Sequence, residues 1–435
     1  MHGFFTKTKM KKYYNPAADA WPEICLRPFN DLSEIKDKVQ KIIDDIKNEG
    51  DIKLRYYSEL FDKYSGESLK VNSEEIDAAC LILDKELKKA IETAAENIST
   101  FHKMQFVEER KTETMPGVVC SQKFLPIQKV GLYVPGGTAP LLSTVLMLAI
   151  PAKTAGCKEI IMCTPPDSRG KIHPAILYAA KISGIENIYK VGGAQAIAAM
   201  AFGTQTIPKV YKIFGPGNKY VTAAKMLVST VNTAIDMPAG PSEVLVVADK
   251  TANIKFVAAD LLSQAEHDKE SQVILVCDNE KMVDQILQET ANQLEKLPRK
   301  EIAKMTLANS KAVIFDDIYA SCDFVNEYAA EHLIVSTENP ELYAQEIVNA
   351  GSVFLGNYTP ESAGDYASGT NHTLPTGAYA KQYSGVSLAS FMKSVTYQKI
   401  SKEGLKNIGK TIELMAEAEE LFGHKNAVTL RLNSL

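Results

Sequence analysis

The 435-residue chain reads as an α/β protein: two tandem doubly wound, incomplete Rossmann-like parallel-sheet domains, preceded by a helical N-terminal segment and followed by a small C-terminal tail. Three observations predict this. Between residues 129 and 230, apolar strand-like runs alternate with helical patterns. The alternation restarts at Glu243 and continues to Leu355. The regions before and after these blocks have helical periodicity. Strand, helix, strand with short connections calls for parallel sheets covered by helices on both faces. The length also exceeds what one simple core accommodates.

From about residue 32 to 110, apolar residues recur at three- and four-residue spacing, predicting helices over Leu32–Lys47, Asp51–Phe61, Ser73–Leu83 and Lys85–Phe106. The first block predicts strands Lys129–Tyr133, Glu159–Cys163, Asn187–Val191 and Val210–Phe214. Its helices are Leu142–Ala155, Ala175–Ser183, Gln195–Phe202 and Lys219–Thr230. The second block predicts strands Glu243–Ala248, Gln272–Cys277, Ala312–Phe315, His332–Ser336 and Ser352–Leu355. Helices Asn253–Ala265, Lys281–Leu294, Ile318–Ala330 and Pro340–Asn349 connect them. Beyond residue 386 the pattern is helical (Ser387–Phe391, Ser401–Ala418) and closes on the strand-like Ala427–Leu432. The expected division is 1–130, a helical segment packing with the second α/β domain; 131–242, the first α/β domain; 243–385, the second; and 386–435, a tail too short for its own core.

Composition narrows the function classes. Hydrophobic content of 45% and charged content of 23% are those of an ordinary globular protein. A net charge of -5 and a pI near 5.9 argue against a nucleic-acid binder. No apolar run reaches the roughly 18–20 residues that span a bilayer. Ala139–Ala152 comes closest and reads as a buried helix. The N-terminus, MHGFFTKTKMKKYYNP, is basic but lacks the apolar core of a secretory signal, so a cytoplasmic protein is expected. The seven cysteines are scattered without a CxxC pair, and Cys157, Cys163 and Cys277 sit in or beside apolar runs as buried thiols.

Chemistry concentrates in Gly351–Thr376, GSVFLGNYTPESAGDYASGTNHTLPT. After its opening strand this stretch is long and polar, and it carries Asp365 and His372 where no helix or strand pattern can be drawn. Such loops in compact domains are usually binding or catalytic segments. Of the seven histidines, His2 and His102 read as surface residues and His173 as a capping residue before Pro174. The other four, His267, His332, His372 and His424, each lie in a polar cluster. Gln264 and His267, three apart at a helix end, leave the same face. With Asp365 they would supply oxygen and nitrogen ligands to zinc or a similar ion. A histidine that merely caps the helix is the plainer alternative. Glu331-His332, at a helix-to-strand junction, suits a general acid–base pair; a solvated acid beside a half-buried imidazole is again plainer. The dinucleotide fingerprint G-x-G-x-x-G is absent. Instead, glycine-bearing turns occur at Gly136-Gly137, Gly192-Gly193 and Gly215–Asn218, each expected to free backbone N–H groups for phosphate at a helix start.

Block after block, these residues resemble one family. VGLYVPGGTAPLLSTVLMLAIPAKTAGC, VGGAQAIAAMAFGT, KIFGPGNKYVTAAK, IDMPAGPSEVLV, DLLSQAEHD, EHLIV, SAGDYASGTNH and HKNAVTLR are similar, in order, to histidinol dehydrogenases, from about residue 25 to the end. The resemblance implies a zinc- and NAD-linked, four-electron oxidation of L-histidinol to L-histidine through the bound aldehyde. It implies Gln264, His267, Asp365 and His424 as ligands of one zinc per subunit, and Glu331 and His332 as the catalytic pair. Ser242, His372 and Glu419 match substrate contacts, together with the zinc ligands and His332; Tyr133, Gln195 and Asn218 match NAD contacts. It also implies a homodimer whose C-terminal tail crosses to the partner's site, so that Glu419 and His424 serve the neighbouring subunit. Ala330 replaces the proline often found before the Glu-His pair, a change of stiffness rather than of chemistry. Two alternatives stay open from the residues: dehydrogenation of another small alcohol on the same scaffold, and zinc hydrolysis with Glu331 beside water.

Overall fold

Fourteen strands and the helices between them build three sheets in a computed structural model that describes residues 10–28, 33–136, 140–231 and 233–435. His2, Leu32 and Gly137 lie outside the described residues. The strands are β1 (Lys11–Tyr14), β2 (Arg110–Met115), β3 (Val118–Pro126), β4 (Lys129–Tyr133), β5 (Glu159–Thr164), β6 (Asn187–Lys190) and β7 (Lys212–Phe214). They continue with β8 (Ala234–Ile235), β9 (Glu243–Ala248), β10 (Gln272–Cys277), β11 (Lys311–Ile314), β12 (His332–Ser336), β13 (Ser352–Leu355) and β14 (Met392–Ile400).

The first parallel sheet has the order β6-β5-β4-β7-β8, and the second β1-β11-β10-β9-β12-β13. Setting β1 aside, both sheets count 3-2-1-4-5 from their own first strand, the half-Rossmann order. The two units are therefore topological copies, although no sequence repeat relates them. Their strands are short apolar runs buried on both faces: β9 and β10 are buried at every position, as parallel strands between helical layers must be.

The N-terminal helices depart from expectation. Helix Ser33–Glu49 presents Ile35, Val39, Ile42, Ile43 and Ile46 on one face, a spacing that buries one stripe. That stripe packs on helices Gly193–Phe202 and Lys219–Ser229 of the first unit. Helix Lys85–Lys103, capped by Asp84 accepting from Glu86 and Leu87 N–H, buries Ile91, Ala94 and Ile98 against helix Leu142–Ala155. Thus the segment 33–103 packs mainly on the first α/β unit, and touches the second near its end, where Asn97 Nδ2 donates to Ala367 C=O at 2.9 Å. β1 joins the second unit through parallel pairing with β11. His102, expected at the surface, is fully buried at the end of this helix.

Two further departures concern the antiparallel sheet and the tail. β2, β3 and β14 form a three-stranded antiparallel sheet that periodicity does not reveal, because residues such as Arg110–Met115 are exposed along nearly their whole length. The tail ends in helix Phe422–Leu432 rather than a strand. It lies on helix Lys402–Ala418, where Gly409 lets Leu432 approach closely. Tertiary contact outweighs the β-branched character of Ala427–Leu432. The pair leaves Leu414, Met415, Leu421, Phe422 and Leu430 exposed. No helix among the described residues is long and apolar enough to cross a membrane, and all seven cysteines are free thiols.

The tail is anchored where Gly117, at φ +82°, turns β2 into β3 and its carbonyl accepts the Ser401 N–H at 2.9 Å. A Cβ on Gly404 would stand 2.2 Å from that carbonyl. Gly404→Ala is therefore expected to overpack this joint and cost about 1–3 kcal/mol, read as a lower urea midpoint; an unchanged midpoint would mean that the joint gives way freely.

Candidate active site

A cavity of about 510 Å³ opens between the two units. The first unit contributes residues that follow the carboxyl ends of its strands, including Asn218 after β7. The second unit instead turns the amino ends of its strands to the cavity. Ser242 immediately precedes β9, His267 lies between helix Ile254–Ala265 and β10, and Glu331-His332 opens β12. Asp365 and His372 arrive on the polar segment after β13. That segment does contain a helix, Glu361–Tyr366, too short for periodicity to show and carrying Asp365.

Backbone anchors fix the Glu331-His332 pair. The preceding helix Ser321–Tyr328 ends with Ala329 in the left-handed region at φ 50°, which redirects the chain into β12. Glu331 C=O accepts from Ser352 N–H, and its carboxylate Oε2 accepts from Glu243 N–H at 2.9 Å. His332 places Nδ1 3.7 Å from Glu331 Oε2 and Nε2 3.3 Å from Asp365 Oδ1, without the alignment of a hydrogen bond. Both imidazole nitrogens and Asp365 Oδ1 are buried without a hydrogen-bond partner.

The charges are tightly linked. Burial pushes the Glu331 carboxyl up to about 8 against the opposing pull of His332. Glu361 is likewise raised to about 8 by burial. Burial alone would lower His332, but Glu361, Glu331 and Asp365 together lift it to about 10. Burial would raise Asp365, yet its contact with His332 holds it below the usual carboxylate range. Burial pushes the His267 and His372 imidazoles down. His332 is thus held towards its protonated form by three neighbouring carboxyl groups.

His372 is tied at both nitrogens: Nδ1 lies 2.9 Å from the Asp365 carbonyl and Nε2 3.2 Å from Thr144 Oγ1. Nδ1–H therefore donates and Nε2 accepts from the threonine hydroxyl. The segment is also held from behind. Asn371 Nδ2 donates to Met147 C=O at 2.6 Å and lies 3.4 Å from His102 Nε2, while His102 Nδ1 lies 2.8 Å from Ile98 C=O. The buried His102 braces the loop; sequence offered only an isolated polar residue at a helix end.

Ligand atoms of His267, Glu361 and Asp365 lie within 4.8 Å of one another. Gln264, fully buried one turn before His267, packs its amide on Glu361. An imidazole, an amide and carboxylates around an unpartnered Asp365 oxygen fit a zinc-type ion, which takes N and O donors. Glu361 was missed because no helix was drawn there; in a helix it lies one turn before Asp365. Glu419 and His424 are not brought to this cavity in their own chain: both are exposed on the tail.

Beside it lies a cavity of about 920 Å³ lined by Tyr133, Gln195 and Asn218, with Asn218 and Tyr220 common to both. Its size suits a large ligand. At two of the glycine turns, however, several N–H groups are already taken. Gly192 N–H donates to Asp62 Oδ2 at 3.0 Å, Gly193 N–H to the Tyr133 hydroxyl at 3.0 Å, and Gly215 N–H to Asp236 Oδ2 at 2.7 Å. Asn218 caps Tyr220 and Val221 N–H. At these positions the protein's own side chains stand where a phosphate was expected. Asp62, which also accepts from Gln195 Nε2 at 3.2 Å, gave no signal in sequence beyond an acid at a helix end.

Comparisons agree with this architecture. The sequence profile of histidinol dehydrogenase matches residues 26–432. The histidinol dehydrogenase of Bacteroides thetaiotaomicron is 57% identical over 427 residues, 98% of this chain and 99% of that protein. That of Vibrio parahaemolyticus is 52% identical over 399 residues, 91% of this chain and 92% of that one. The crystal structure of histidinol dehydrogenase from Elizabethkingia anophelis superposes with a TM-score of 0.95 at 55% identity, covering 98% of each chain. With a matching profile over nearly its whole length and relatives at this identity, the chain belongs to the histidinol dehydrogenase family.

Proposed function

We propose that this chain oxidises L-histidinol to L-histidine through bound histidinaldehyde, in histidine biosynthesis, using zinc and NAD in the cytoplasm. The observation that carries the reading is the juxtaposition of Glu331-His332 with His267 and Asp365 in one cavity, sharing a wall with a larger one. Residues 131–242 serve the dinucleotide through Tyr133, Gln195 and Asn218, and residues 243–385 carry the ion and the acid–base pair. The tail, 386–435, crosses to a second copy. Its exposed apolar side chains and the incomplete ligand set in one chain support a homodimer in which the partner supplies the roles of Glu419 and His424.

Zinc, when bound to Gln264, His267, Asp365 and the exchanged His424, supplies a fixed positive centre that orients the substrate's nitrogen atoms. Two NAD molecules, bound one after the other, would each accept one hydride. The protein's own groups move the protons. His332 takes the hydroxyl proton as the carbinol carbon is oxidised to the aldehyde. Glu331 then takes a proton from water as the oxygen adds to the aldehyde carbon, and oxidation of the hydrate gives the carboxylate. Ser242 and His372 hold the substrate against the wall. An imidazole accepts a proton only in its neutral form, so His332 is competent once Asp365 is engaged by a cation and no longer holds the imidazolium.

Histidinol with NAD should yield two NADH per substrate, and a chelator should abolish the signal; turnover in the stripped protein would refute the metal's role. General-base help is worth about a hundred- to ten-thousandfold, so His332→Ala should lose that much in alcohol oxidation. Glu331→Gln should harm oxidation of supplied histidinal more than of histidinol; equal losses would contradict the division of labour. Mixing His424→Asn and Glu331→Gln subunits should restore part of the activity, whereas inactive hybrids would rule out shared sites. Zinc uptake should also release protons. A cation favours the ionised forms of Glu331 and Glu361, both at about 8 without it, and the neutral form of His332. Apparent zinc affinity should therefore rise with pH through about 8 and on towards about 10; a flat profile in a pH-indicator titration would contradict this.

A further inference from the structure

Glu361 has no role among the residues so far assigned, yet it is 1% exposed, and among the described residues no lysine or arginine forms an ion pair with it. Its electrostatic neighbours are His332, Asp365 and Asp260, two of them acids. A carboxyl group is costly to bury in such company, so its position calls for a reason. The contact that supplies one is with Gln264. With the amide nitrogen turned towards Glu361, Gln264 donates to Oε1 at 2.5 Å and to Oε2 at 3.2 Å. The reverse orientation sets the amide oxygen against the carboxylate and the nitrogen against donors only.

An amide binds a cation through oxygen, and its two ends are nearly the same size, so packing alone barely distinguishes them. A carboxylate does distinguish them, because it accepts from NH2 and repels the carbonyl oxygen. We propose that Glu361 is a positioning residue that locks the Gln264 amide with its nitrogen on the carboxylate and its oxygen turned the other way, towards the metal. The carboxylate thereby acts on the ion through Gln264 rather than as a ligand, the role played by outer-shell partners in metal sites. This rests on the reading of Gln264 as a ligand.

The test is a double-mutant cycle on the full-length, metal-stripped protein, reading Zn2+ affinity by competition with a chromophoric chelator. The Co2+ absorption spectrum and the metal-free thermal midpoint are followed in parallel. Gln264→Ala should weaken Zn2+ binding, and Glu361→Met should weaken it by about 10–100-fold without lowering the metal-free midpoint. Glu361→Gln, which keeps an acceptor oxygen for the Gln264 NH2, should recover most of the affinity and a wild-type-like Co2+ spectrum. In the Gln264→Ala background, Glu361→Met should add no further loss. If Gln264→Ala leaves Zn2+ affinity unchanged, the ligand assignment of Gln264 itself fails. If Gln264→Ala weakens binding but Glu361→Met does not, the positioning role fails. A further loss from Glu361→Met in the Gln264→Ala background would make Glu361 a ligand and overturn the proposal.

Discussion

Everything at the site follows from crowding three carboxyl groups, the buried Glu331 and Glu361 and the half-buried Asp365, around the His332 imidazole. One positive charge cannot balance three acids in a poorly solvated pocket. The protein responds by holding protons: two carboxyls are raised to about 8 and His332 to about 10. The backbone N–H of Glu243 and the amide of Gln264 stabilise part of the remaining charge. Such a pocket is poised to exchange protons for a divalent ion, and the stiffness of the surrounding chain keeps the donors apart until it does. The braces behind the loop, from Ile98 through His102 and Asn371 to Met147, belong to that stiffness.

The two α/β units share a strand order but are used in opposite senses. The first offers the carboxyl ends of its strands, where open parallel sheets ordinarily bind ligands. The second offers amino ends, where loops return from its helices. Because Gln264 and His267 close a helix that runs back against the strands, that end collects side chains without any glycine-rich turn. The helices of residues 33–103 complete the first unit and leave the second to face it across the cavity.

Sequence reading recovered most of this scaffold because buried parallel strands and amphipathic helices announce themselves by periodicity; Lys129–Tyr133, Leu142–Ala155 and Glu243–Ala248 have the expected bounds. It missed the β2-β3-β14 sheet, whose exposed faces lack alternation, and mistook the final helix for a strand because Ala427–Leu432 is rich in Val, Thr and Leu. Of the site, Ser242, His267, Glu331, His332, Asp365 and His372 line one cavity. Glu361 and Asp62 stayed hidden, since each acts through residues distant in the chain, Gln264 for one and Gly192 and Gln195 for the other. Gly192, Gly193 and Gly215 misled for the same reason: their N–H groups are claimed by side chains that no local pattern reveals.

The partition formed by Asn218 and Tyr220 has its own consequence. Two chambers that adjoin through a common wall each have their own lining. Under the proposed reaction, a spent carrier molecule would leave by one doorway and its replacement enter, while the reactive half-finished product stays behind the other.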